Sequence, residues 1–109
     1  MKKTFHVPIF ECTVHIIVTD DIPGEHKKIF EPDDDIEDYE GCVAYHGSKF
    51  ALFIEPKVAK NPNTLHHEIF HLTHRILEYR DINFDKDHHE TGALLHGWLT
   101  QKILKILQP

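Results

Sequence analysis

The chain predicts an α+β fold in which a small antiparallel sheet with a hairpin packs against two helices. Three observations predict it. In the first half, apolar residues alternate with polar ones, the period of a half-buried strand. In the second half they recur every three or four residues, the period of an amphipathic helix. No repeat or linker divides the 109 residues, a length that buries one core without disulfides, so residues 1–109 read as a single domain.

The elements follow in order. Met1, Lys2 and Lys3 open like the basic start of a signal peptide, but histidines and Glu11 interrupt residues 4–20 where an apolar core should run. From Phe10 to Val18, residues Phe10, Cys12, Val14, Ile16 and Val18 share one face, and Glu11, Thr13 and His15 the other, which is a strand. Asp20–His26 reads as a turn, and Glu31–Glu40 as a solvated acidic loop. Asp33, Asp34 and Asp35 in that loop lack the glycine and bidentate glutamate spacing of a calcium loop. Cys42–His46 and Phe50–Glu55 form the arms of a hairpin around His46-Gly47-Ser48-Lys49.

Asn61 then offers an N-cap and Pro62 a first helical residue, followed by a stripe of Leu65, Ile69, Leu72 and Ile76. Tyr79–Asp85 breaks the pattern. Asp85 or Asp87 can cap a second helix that runs to about Leu107.

Composition excludes several roles. A formal net charge of −6 gives nucleic-acid binding little support. No run approaches the roughly 20 apolar residues that span a bilayer. The expectation is a cytoplasmic protein, with Cys12 and Cys42 as free core thiols. The unusual feature is histidine, 11 of the 109 residues.

Four histidines and a glutamate fall between Thr64 and His74, and five of those residues read His67-Glu68-x-x-His71. Residues four apart on a helix project from the same face, so both imidazoles can grip one ion. Zinc suits two neutral imidazoles plus a carboxylate, with a fourth position left for water. Glu68 flanks such a site and can take a proton from the water and return it to a leaving amine. In so histidine-rich a chain, shuffling alone yields the motif about 0.09 times per chain, so placement must decide. His67 and His71 fall nearly opposite the apolar stripe, beside Phe70 and Leu77. That arrangement predicts a helix sandwiched between two layers, with the imidazoles facing the second layer. Glu90, in the first turn of the last helix, is the candidate third ligand. Ala93 and Gly97 share its face and are small enough for close helix approach.

His67-Glu68-x-x-His71 followed by Glu90-x-x-Ala93 resembles the gluzincin branch of zinc metallopeptidases. More closely, residues 64–103 resemble the short HExxH proteins of phages and mobile elements that are taken to be peptidases. The resemblance implies a minimal zincin-like domain with one zinc ion per chain. It implies His67, His71 and Glu90 as ligands, Glu68 as general base, and a peptide or protein substrate. The hairpin before the metal helix would lie along the cleft, with Cys42–His46 as an exposed edge able to take an extended peptide. The large C-terminal domain of thermolysin-like enzymes has no counterpart in this chain.

Alternatives stand beside this reading. His88 and His89 are replacement ligands for Glu90, while His66 and His74 suit packing, surface or supporting roles. His96 reads as surface, and His6, His15 and His26 as structural or exposed. Tyr45 and His46 are candidates for stabilising an oxyanion. A non-catalytic metal-binding or interaction module on the same scaffold is the competing function. A hydrolase acting on a non-peptide substrate is the other.

Overall fold

A computed structural model describes residues 1–30 and 40–108. Four strands and four helices follow the chain: β1 (Lys2–Val7), β2 (Cys12–Val18), α1 (Ile22–Ile29), β3 (Gly41–His46), β4 (Lys49–Ile54), α2 (Pro56–Ala59), α3 (Pro62–Tyr79) and α4 (His89–Leu107). The fold is α+β, as its sequence predicts. The acidic loop expected at Glu31–Glu40 lies outside the described residues except for Glu40.

The strands form one sheet in the order β1-β2-β4-β3. The hairpin β3–β4 is where its sequence puts it, closed by Gly47 at φ +59°, a conformation that glycine adopts without penalty. The sheet is not wholly antiparallel, however. β2 and β4 pair in parallel, Val14 opposite Phe50 and Ile16 opposite Leu52. A parallel pair at the centre requires cover on both faces, and both are covered.

On one face, Val14, Ile16, Phe50, Leu52 and Ile54 pack against Leu65, Ile69, Leu72 and Ile76 of α3 and Leu95, Leu99 and Ile103 of α4. On the other, Ile17, Ala51 and Phe53 pack against Ile22 and Phe30. The expected turn at Asp20–His26 is thus the start of helix α1. Pro23 sits in its first turn, where a missing N–H costs nothing, and Asp21 caps the helix through the Gly24 amide at 3.1 Å. A side chain at position 24 would collide with that carboxylate.

α3 begins as read from sequence. The Asn61 side chain accepts from the Thr64 amide at 3.4 Å, and Pro62 opens the helix. Before α4, Asp85 Oδ1 accepts from the amides of Asp87 and His88 at 3.0 and 3.1 Å, so it organises the entry without being the cap residue. No helix among the described residues is long and apolar enough to cross a membrane.

Candidate functional site at the β3 flank of helix α3

Helix α3 lies on the sheet between two neighbours, β3 on one flank and α4 on the other. The motif residues sort between the flanks. Gly41, Val43 and Tyr45 of β3 point toward α3, while Cys42 and Ala44 pack in the core of the opposite face. Between β3 and α3 runs an open groove of about 460 Å³ lined by Gly41, Cys42, Val43, His67, Glu68, His71 and Arg75.

Helical spacing brings His67 and His71 together there. Their Nε2 atoms are 3.1 Å apart, with the rings at 82° to each other. Two imidazole nitrogens on one tetrahedral zinc ion stand about 3.3 Å apart, so the pair has the span a shared ion needs. Glu68 lies half-buried at the groove's edge, its side chain folded against Gly41. A Cβ on Gly41 would come within 3.1 Å of Glu68 Cγ, so the glycine leaves room for this carboxylate. Burial raises the Glu68 carboxyl above its ordinary value, against the opposing pull of His71 and His67. A carboxylate with a raised pKa is a better proton acceptor, as a base requires.

Two expectations need correction. His67 and His71 do not face a second layer; both are exposed at the groove. Leu72, Thr73, Ile76 and Leu77 take the buried positions instead. Glu90 does not join the pair. It is exposed on α4, and among the described residues no group of three or more His, Cys, Asp or Glu is placed to hold a metal ion. The reason is positional. α4 lies over β1, with Trp98 edge-on to Phe5 at 5.8 Å, and so occupies the flank of α3 away from β3. Ala93 and Gly97 face outward, and a Cβ on Gly97 would meet nothing within 4 Å. The close approach in α4 is at buried Gly92, whose Cβ would strike the Phe84 ring.

The remaining histidines find other partners. His96, read as surface, is partly buried and its Nδ1 lies 2.9 Å from Thr73 Oγ1, which itself donates to the Ile69 carbonyl at 2.9 Å. Since the hydroxyl proton is committed to Ile69, the bond is donated by His96 Nδ1–H. Burial, then the charge of His66, holds the His96 pKa below its ordinary value. His88 meets Asp85 at 2.9 Å, His74 approaches Glu78 at 3.7 Å, and His89 is exposed. His15 lies 3.0 Å from Thr4 Oγ1 and His6 3.6 Å from Glu11. His26 is buried and stacked on Phe30. Tyr45 borders an adjoining groove with Gly47, Arg75, Glu78 and Tyr79, so neither it nor His46 lines the groove of the pair. The two cysteines are free. Burial pushes both thiols up to about 11, opposed at Cys12 by Arg80 and reinforced at Cys42 by Glu68.

Sequence reasoning missed Gly41 and Arg75. Arg75 was there to be found, since it follows His71 by four residues on the same face. Also unforeseen is an apolar cavity of about 410 Å³ between the β1–β2 turn and α4, lined by Ile9, Phe10, Leu94, Leu95 and Trp98 among others.

The outer edge of β3 has a definite polarity. Glu55 N donates to Glu40 O at 2.9 Å, in register with the β3–β4 ladder. Hydrogen-bonded pairs alternate in an antiparallel ladder, so Cys42, Ala44 and His46 bond to β4, and Gly41, Val43 and Tyr45 turn their amides and carbonyls outward.

No family model, curated protein or solved structure matches this chain.

Proposed function

We propose that the protein is a metal-dependent peptidase that uses the groove between β3 and α3. One observation carries this reading: two imidazole nitrogens converge at 3.1 Å beside a half-buried glutamate, in a groove bordered by β3, the last strand of the sheet among the described residues. His67 and His71 would hold the ion. A bound zinc ion would supply Lewis acidity, polarising a carbonyl and making a water acidic near neutrality. Glu68 would accept a proton from a water in the groove and hand it to the departing amine. The outward amides of Val43 and Tyr45 would align the substrate as an added strand. The free thiols suit the reducing cytoplasm that sequence favours.

A second reading has its own supporting observation. Only two candidate ligands converge among the described residues, which suits a non-catalytic metal-binding or interaction module. Metal analysis of protein purified without a histidine tag or added metal, together with a quenched-fluorescence peptide assay, separates the two. The peptidase reading expects about one zinc per chain, and expects Glu68→Gln to keep the metal while losing turnover about 100-fold or more. Bound zinc with no turnover in the parent chain would favour the module. Metal-free protein, or a Glu68→Gln variant as active as its parent, would overturn the peptidase.

A further inference from the structure

We infer that Arg75 is a carboxylate receptor in this groove, so the site prefers peptides carrying a carboxylate about two residues from the bond it addresses. This rests on reading the groove as a peptide site. Arg75 lines both the groove of the histidine pair and the adjoining one, of about 290 Å³, so it stands where the two meet. Among the described residues lining them it is the one lysine or arginine.

The guanidinium is held in place. It lies over the Tyr45 ring at 5.4 Å, and Nη1 donates to Glu78 Oε2 at 2.9 Å. No other hydrogen bond to the guanidinium occurs among the described residues, so its Nε and Nη2 donors have no partner there, on a side chain that lines both grooves. A guanidinium is a planar fork that matches a carboxylate, and one already ordered by a ring and an ion pair loses less freedom on binding. The plain alternative is a surface pair of Arg75 and Glu78 on one helix, which would discriminate between no ligands.

Spacing sets the register. Arg75 follows His71 by one helical turn, roughly 6 Å along the axis. An extended peptide covers that in about two residues. Gly41 of β3 sits beside Glu68 and Tyr45 beside Arg75, so strand and helix advance in the same sense. A peptide added antiparallel to β3 therefore brings Arg75 a residue on the N-terminal side of the addressed bond, and the carboxylate is a Glu or Asp side chain. A peptide added parallel brings it a residue on the C-terminal side, where a chain terminus can supply the same chemistry.

Calorimetric titration of the full chain carrying Glu68→Gln, without metal, tests this with three heptapeptides. The first is capped at both ends with one Glu two residues before its central bond. The second is its Gln counterpart. The third has Gln and a free C-terminal carboxylate two residues after the bond. One of the two carboxylate peptides should bind about ten-fold tighter than the Gln peptide. Which one does so identifies the source of the carboxylate and the strand direction. Arg75→Gln should erase the preference, and Arg75→Lys should retain part of it. Equal affinities, no binding of any peptide, or a preference that survives Arg75→Gln would overturn the proposal. Turnover does not enter this measurement. An intact preference in a chain that never hydrolyses would count against the peptidase reading alone.

Discussion

The two flanks of helix α3 use similar residues to opposite ends. Toward α4, the polar groups close on one another: Thr73 donates to its own helix and accepts from His96, while Phe70 and Phe84 pack at 5.9 Å. Toward β3, the polar groups stay available. Among the described residues His67 and His71 hydrogen-bond only to each other, and Glu68 lies half-buried without a hydrogen bond. A histidine whose nitrogen is already engaged by a hydroxyl fixes a helix pair in place. Two histidines that face a groove and share only one contact are free to take a ligand. Histidine abundance therefore says little by itself, and the flank on which each histidine stands says a great deal.

Substitutions can break or sharpen this contrast. The largest effect is expected at the floor both flanks share: Leu72→Ala should cost about 2–5 kcal/mol in a denaturant melt. His71→Ala should weaken zinc binding about 100-fold or more in a competition titration while leaving the melt nearly unchanged, which confines the damage to one flank. Thr73→Val should do the reverse. It strands the His96 Nδ1–H and should cost about 1–3 kcal/mol, with zinc affinity kept.

The acid limb of stability gives a smaller effect. His15 and His96 have pKa values held below their ordinary value, in both cases by burial first. The unfolded chain therefore binds protons before the folded one does. Their contribution is complete above the unfolded value near 6.5 and is lost as pH falls through it toward the folded values. His96→Gln should flatten the decline in melting temperature between pH 7 and pH 5; an unchanged slope would show that His96 does not titrate on unfolding. The smallest effect belongs to Glu90→Ala, which should shift stability by no more than about 0.5 kcal/mol and zinc affinity by less than about two-fold. A large loss of zinc affinity would bring Glu90 back into the site.

What could be read from sequence was whatever a few neighbouring residues decide. Asn61 and Pro62 fix the start of α3, the apolar stripe fixes which face it buries, and Gly47 closes the hairpin. Helix α1 escaped because Pro23 and Gly24 look like helix breakers, yet proline is harmless in a first turn and the glycine admits the Asp21 cap. The parallel pairing of β2 with β4 escaped because pairing across 36 positions leaves no local trace. The run Phe50–Ile54, apolar on both faces and wholly buried, was a signal of cover on two sides that reading it as a hairpin arm passed over. Glu90 failed for a different reason. Periodicity tells which residues of α4 share a face, but not on which side of α3 that helix will lie. The histidine pair was legible because both members sit on one helix, and any third ligand is a matter of tertiary placement.

The alternating polarity of β3 also sets a clock for its amide protons. Those of Cys42, Ala44 and His46 are held in the ladder, while those of Val43 and Tyr45 point away from β4 and have no backbone partner among the described residues. In deuterated water the strand should therefore label every second position quickly and the intervening positions slowly, with the contrast reaching to the hairpin turn. A strand that docks along the edge would slow the fast set and leave the slow set as it was. Occupancy of the edge thus becomes measurable residue by residue, with no need for a chemical reaction.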